Sequence, residues 1–375
     1  MAKRRSRGEG SIYFWDKKDL WVGKITTPDG KRRTKYAKSK KDIKDWLLKE
    51  RSKLSEGIYI PDEKVTVETF MRRYLEDYGK RSLRITTLQG YTLVIEKHII
   101  PEIGRLRLTK LRPLHINHLL SKKLEAGYSN RWVEYIHGIL KRSLNKAVKW
   151  GLLAKNPTEL VSPPSVKFKV PSTWNSDQVK TFLECIKNDR WSALYHLACG
   201  TGMRKGEILG LPVSALDIEK GYLKVIQTLQ LVKGQGLMLL EPKTERSRRM
   251  IVLPGFVVES LRCHLARREE LAQSPKWKES GLVFTTDVGT PITPRNLVRH
   301  FKTHLSQAGL PDIRFHDLRH TTASLLLEKN VHPKIVSELL GHSTITLTLN
   351  TYSHIINPLG RVAADAMDNI VDQED

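Results

Sequence analysis

The sequence predicts an α+β multidomain protein, with a small three-stranded sheet plus helix, then a helical bundle, then a mainly helical domain carrying a β-hairpin sheet. Three observations predict it. At 375 residues the chain is long enough for two or three domains, each with its own core. The apolar pattern changes along the chain, from short alternating runs to helical stripes to a mixture of both. Two proline-bearing stretches, Glu56–Lys64 (with Gly57) and Val161–Thr173, divide the regions. The expected domains are residues 1–57, 65–157 and 174–375.

In the first region, Ser11–Trp15, Leu20–Thr26 and Lys31–Tyr36 read as strands separated by the turn sequences DKKD and PDG. Ser39 is placed to cap a helix, with Asp42 as a weaker capping-box partner. Ile43, Trp46, Leu47 and Leu54 then share a face that can cover the sheet. Residues 1–57 carry 18 Lys/Arg against 8 Asp/Glu, a net charge of +10. In the second region, Phe70, Tyr74 and Tyr78 form a stripe at i, i+4 and i+8. Thr86 or Thr87 is placed to cap a second helix ending near HIIPEIG, and Leu114–Lys123 is a third. In the last helix Trp132, Ile136, Ile139, Leu140, Leu144 and Val148 trace the core face, with Lys141, Arg142, Lys146 and Lys149 among and opposite them. Val161–Thr173, with three prolines and two lysines, reads as an extended basic linker. Beyond Trp174, helices are expected from Ser176 and Trp191. Leu237–Leu253 reads as a β-hairpin with Lys243 near its turn, and Thr293 caps a helix over Pro294–Gln307.

Composition narrows the function. Lys and Arg outnumber Asp and Glu by 64 to 40, a formal charge of +24, which points to a polyanion, DNA or RNA. No apolar run approaches the ~20 residues of a membrane helix, and the N-terminus lacks the apolar segment of a signal peptide. Cys185, Cys199 and Cys263 are odd in number and widely spaced, which fits reduced thiols in a cytoplasmic protein.

The densest chemistry lies in Arg314–Tyr352. His316, Asp317, Arg319 and His320 fall within five residues; Gly341-His342 follows, and Tyr352 comes ten residues after that histidine. Such groups suit a phosphodiester. A guanidinium forks two N–H groups onto phosphate oxygens, and an activated tyrosine hydroxyl can attack phosphorus. His316 and Arg319 are three apart and share a helix face. Upstream, Gly200–Glu207 (GTGMRKGE) places Arg204 after a glycine-rich turn. Each residue alone also has a structural explanation. Gly341 suits a helix C-cap, and His316 with His320 at i, i+4 suits a zinc pair. A zincin, however, needs Glu where Asp317 stands, and Arg319 would repel the metal.

As an ordered set, Arg204, Lys243, His316, Arg319, His342 and Tyr352 resemble the catalytic residues of the tyrosine recombinases, the phage-integrase family; Glu207 matches as well. The resemblance implies that Tyr352 attacks DNA to leave a 3′-phosphotyrosine and a free 5′-hydroxyl. It further implies that Arg204 and Arg319 clamp the phosphate, His342 donates to it, Lys243 protonates the leaving oxygen and His316 acts as general base. No ATP, metal or other cofactor is then required. Residues 1–57 resemble the family's arm-binding domain, and the helical region resembles its core-binding domain. The implied partners are double-stranded DNA at core and arm sites, three further copies in a tetramer on DNA, an excisionase and a host DNA-bending protein. The arm-like region favours a mobile-element integrase over a host resolvase or a type IB topoisomerase. A DNA-binding regulator with an inactive site is the alternative of a different class. The acidic tail, with Val362, Ala366 and Ile370 at four-residue spacing, is expected to pack on a neighbouring copy.

Overall fold

A computed structural model describes residues 10–27, 30, 32–55, 64–167, 170–242, 247–356 and 367–368. The chain divides into two compact units, Met1–Lys167 and Phe168–Asp375.

The first unit begins with an antiparallel sheet of β1 (Ser11–Trp15), β2 (Leu20–Thr26) and β3 (Arg32–Ala37), in the order β1-β2-β3. Helix α1 (Lys40–Ser55) follows, and the Ser39 hydroxyl accepts the Lys41 amide at 3.1 Å, as the capping reading expects. Ile25, Ile43 and Leu47 form the buried centre of this small core, with Trp46 beside them. The Leu54 side chain lies outside the described residues. Gly23 lets α1 lie close on the sheet. A Cβ there would meet Ile43 at 2.7 Å, so the alternation of β2 is broken to admit the helix.

The rest of this unit is helical. It comprises α2 (Val67–Arg73), α3 (Lys80–Ser82), α4 (Ile85–Val94), α5 (Ile100–Ile103), α6 (Pro113–Glu125) and α7 (Asn130–Lys149), with π-helical turns at Tyr74–Gly79 and Ile95–Ile99. The aromatic stripe is placed as its spacing predicts, with Phe70 and Tyr74 buried and Tyr78 partly so. Ile136, Ile139, Leu140 and Leu144 carry the buried face of α7, which Ser129 caps. The threonine cap proves wrong. Helix α4 already starts at Ile85, its N-cap Arg84 makes no side-chain cap bond, and Thr86 and Thr87 lie within the first turn.

The second unit contains α8 (Ser176–Cys185), α9 (Ser192–Thr201), α10 (Lys205–Leu209), β4 (Leu216–Asp217), β5 (Tyr222–Val225), β6 (Thr228–Val232), β7 (Gly236–Leu240) and β8 (Arg249–Val252). Helices α11 (Gly255–Ala272), α12 (Pro294–Gln307), α13 (Asp317–Glu328), α14 (Pro333–Leu340) and α15 (Ile345–Ile356) complete it. Thr293 caps α12 as expected, accepting the Asn296 amide at 3.2 Å.

The hairpin reading of Leu237–Leu253 needs correction. Its two strands do not pair with each other: β7 pairs with β6, and β8 pairs with β5 in the sheet β4-β5-β8. The tight turn is Lys233–Gln235, where Gly234 and the following Gly236 hold φ of 80° and 79°, so β7 folds back onto the strand before it. Lys243, in the connection from β7 to β8, lies outside the described residues, as do Val362, Ala366 and Ile370 of the tail. Among the described residues, no helix is long and apolar enough to cross a membrane.

Candidate active site

Three arginines converge on the C-terminus of α14. The Leu339 carbonyl accepts from Arg249 Nε at 2.7 Å, the Leu340 carbonyl from Arg319 Nη2 at 2.6 Å, and the Gly341 carbonyl from Arg204 Nη2 at 3.2 Å. A helix end leaves its last carbonyls without partners inside the helix and carries partial negative charge, so it both needs donors and favours cations. Gly341 makes the arrangement possible. It stops α14 in the left-handed region at φ 64°, a conformation that other L-residues adopt only with strain, and turns the chain towards His342. Gly202 does the same for α9 at φ 62°, and its carbonyl accepts Arg319 Nη1 at 3.0 Å.

Glu207 ties the arginines together from the other side. Its Oε1 accepts from Arg204 Nη1 at 2.7 Å, while Oε2 accepts from Arg249 Nη2 at 2.9 Å and from the Arg204 amide at 3.0 Å, which starts α10. Burial raises the cost of its charge, but Arg249 and Arg204 outweigh that and hold the carboxyl below its usual range. Arg319 is 3% exposed and, among the described residues, has carbonyls rather than a carboxylate as hydrogen-bond acceptors. Burial, with Arg204 beside it, pushes its pKa down to about 9. A desolvated cation fixed in this way is preorganised for an anion.

Arg204, Glu207, His316, Gly341 and His342 line one cavity of about 700 Å³. His342 Nδ1 lies 2.8 Å from the Thr348 hydroxyl; with that hydroxyl donating, Nε2 is left as a donor. Desolvation first, then neighbouring cationic and imidazole groups, pushes His316, whose surface nonetheless stays exposed, and the half-buried His342 down to about 4, which favours neutral rings near pH 7. Asp317 is occupied locally. It accepts from the Arg314 amide at 2.8 Å and from its guanidinium, which anchors the start of α13.

Tyr352 sits apart from the cavity lining. It is 1% exposed and packs with Ala323, Leu327, Val336 and Leu340. Its backbone leaves helical geometry (φ −116°, ψ 19°), so α15 kinks at this residue. The hydroxyl is 2.8 Å from His320 Nδ1, so the histidine that meets Tyr352 is His320, not the expected His316. Burial pushes the phenol up to about 12 despite Arg319.

The structure thus brings together Arg204, His316, Arg319 and His342, and holds Tyr352 one layer behind through His320. Sequence reasoning missed Arg249. It stands in the run Arg246–Arg249 (RSRR), which reads as solvated charge, yet its side chain is 7% exposed. The signal available was strand alternation, since Arg249 shares parity with the buried Ile251 and Leu253.

Residues 173–357 match the model of the phage integrase family, and residues 66–124 match the phage integrase N-terminal SAM-like domain. A tyrosine recombinase XerC-like protein of Caldanaerobacter subterraneus subsp. tengcongensis is 32% identical over 345 residues, which cover 87% of this chain and 88% of that one. The chain belongs to the phage integrase family of tyrosine recombinases. It is therefore an enzyme that cleaves and rejoins DNA. An integrase of Streptomyces ambofaciens is 30% identical over 99% of this chain and 98% of its own length. Among solved structures, the lambda integrase tetramer bound to a Holliday junction has the same fold (TM-score 0.56, 17% identity), covering 92% of this chain and 98% of that one.

Proposed function

We propose that this recombinase integrates and excises a phage or conjugative element, with Arg204, Lys243, His316, Arg319, His342 and Tyr352 as its catalytic set. The observation that carries the proposal is the convergence of Arg204, Arg319 and His342 on the end of α14. Their donors hold the non-bridging oxygens of the scissile phosphate in the cavity and offset charge in the transition state. His316, neutral in the cavity wall, accepts the Tyr352 hydroxyl proton as general base when the phenol reaches that phosphate. Tyr352 leaves its apolar pocket, exchanging His320 for the phosphate, and attacks to form a 3′-phosphotyrosine. Lys243 protonates the departing 5′-oxygen. The energy of the broken bond is kept in the new ester, so the reverse step rejoins DNA. The test is a nicked core-site substrate that traps the intermediate: it should yield a denaturant-resistant adduct mapping to Tyr352, and an adduct at another residue would remove the assignment.

The chemistry uses only protein acids, bases and cations. EDTA should therefore leave cleavage of a bare core site unchanged at moderate temperature. Abolition by EDTA in a protein that stays folded, with rescue by zinc, would instead favour metal chemistry at His316 and His320.

Residues 1–57 are proposed as a separate arm-site module, and residues 65–157 and 174–375 as the core-binding and catalytic domains. The support for the first is the net charge of +10 and a core of its own around Ile43. The sheet also presents Tyr13, Phe14 and Tyr36 at its surface, with Lys24 over the Tyr13 ring at 4.9 Å. A sheet of this kind can enter a major groove. Deleting residues 1–57 should cost binding at distant arm sites and flatten the salt dependence of binding, because phosphate contacts are lost, while core-site cleavage persists. A folded truncation that no longer cleaves the core site would show that the module is not separable.

Exchange between two duplexes requires four nucleophiles, so the working form is a tetramer on DNA. Contact with separated arm and core sites requires bent DNA, the work of a host DNA-bending protein, and an excisionase would set direction.

A further inference from the structure

The second unit holds another convergence of ligating groups, built from residues that do not line the arginine cavity. Asp189 Oδ2 lies 3.2 Å from His300 Nε2 and 3.2 Å from His304 Nε2, and the two imidazole nitrogens are 3.4 Å apart. His300 and His304 stand one turn apart on α12, while Asp189 lies in the connection from α8 to α9. We propose that these three atoms form a site for a divalent transition metal, zinc by preference, which clips α12 to the α8–α9 connection.

The spacing is the first argument. Ligands about 2.0–2.1 Å from a tetrahedral zinc are separated by roughly 3.3–3.4 Å, and all three separations fall close to that edge. Two imidazoles and one carboxylate oxygen also form a donor set that suits zinc, cobalt or nickel better than calcium or magnesium.

The surroundings orient the ligands. Asp189 Oδ1 accepts the Trp191 amide at 2.7 Å, which leaves Oδ2 facing the histidines. His300 Nδ1 is 2.8 Å from the hydroxyl of buried Tyr195, so that phenol can take the Nδ1 proton's hydrogen bond and leave the Nε2 lone pair to a metal. His304 Nδ1 is buried with no hydrogen-bond partner among the described residues. The tautomer that metal binding requires places a proton on this buried nitrogen, a cost that the bond to the ion must offset. Without an ion, the two Nε2 atoms share the Asp189 oxygen at hydrogen-bond distance, and the ion would take the place of those contacts.

Two further features set the character of the site. The Asp189, His300 and His304 side chains retain 20%, 22% and 14% exposure, so water can complete the coordination. Arg190 is a cation that acts on His300, but its guanidinium pairs with Asp287 and lies over Trp191. Because none of the three ligands lines the cavity of Arg204 and His316, the metal's role is structural. It fixes α12, the helix before the Arg314–Arg319 segment, and takes no part in phosphoryl transfer.

The test uses full-length protein, stripped with chelator, desalted and titrated with Zn²⁺ and with Co²⁺ as a visible-absorption probe. One ion per chain should bind, with the intense absorption of tetrahedral cobalt. Zinc in excess should raise the thermal transition by about 5 °C. Asp189→Asn and His304→Gln should each weaken binding at least about tenfold and remove the thermal shift, while adduct formation at moderate temperature persists. A Cys185→Ser/Cys263→Ser protein, which removes the two exposed thiols, should keep the ion. Absence of stoichiometric binding in wild type would overturn the proposal without reference to any variant. So would binding that survives both ligand substitutions, or binding lost with the cysteines.

Discussion

Tyr352→Phe is expected to bind DNA with near-wild-type affinity and to form no covalent adduct. The change deletes one hydroxyl and keeps the ring that packs against Ala323, Leu327, Val336 and Leu340. The lost hydrogen bond to His320 costs stability of about 1 kcal/mol, because His320 is only partly buried and can turn to water. Affinity comes from many basic contacts along a chain of formal charge +24, so one oxygen contributes little to it. Chemistry has no such redundancy. The neighbouring hydroxyls Ser343, Thr351 and Ser353 do not hold the tyrosine's place in the motif, and Thr351 is bonded back to the Leu347 carbonyl at 2.6 Å. Gel-shift affinity and adduct yield on a nicked core site, measured together, check both halves. A loss of affinity in step with cleavage would mean that the ring, not the hydroxyl, was disturbed.

The same motif shows what the chain reveals directly and what only folding supplies. The candidate site was legible as an ordered set, Arg204, His316, Arg319, His342 and Tyr352, even though each is ordinary alone, and the fold gathers the first four around the end of α14. Local elements with strong signals were legible too: β1 and β2 fall at the expected bounds, and α12 begins at its threonine cap. Pairing partners were not. The segment after Leu237 has the pattern of two strands, but which strands they join depends on the turn at Gly234 and on β5 earlier in the chain. The meeting of His320 with Tyr352 was also hidden, since it depends on α13 and α15 packing side by side across 32 residues. Arg249 was hidden for a different reason. Its burial is made tolerable by a carboxylate 42 residues away, and charge runs give no sign of which member turns inward.

That hidden residue leads to the second large effect. Glu207→Ala is expected to destabilise the catalytic unit by about 3–5 kcal/mol and to reduce adduct formation severely even where the protein stays folded. Removing the carboxylate leaves Arg249, with a side chain 7% exposed, as a buried cation beside Arg319. Only the Leu339 and Ser247 carbonyls remain as its hydrogen-bond partners among the described residues. Arg204 contributes less to the loss, because 37% of its side chain is exposed and water screens its share. The cost to chemistry is positional: without Glu207, Arg204 keeps one carbonyl contact and loses its fixed aim at the phosphate. Glu207→Gln should fall between, since it retains shape and one acceptor oxygen. Acid should act like the alanine variant. The folded carboxyl titrates below its ordinary 4.5, so its contribution is complete above that value and is lost as pH falls through the folded pKa. Denaturant midpoints for wild type, Glu207→Gln and Glu207→Ala, taken at neutral pH and at acid pH, measure the effect. Equal stability of all three proteins at neutral pH would show that Arg249 finds another anion, and that Glu207 does not organise the arginines.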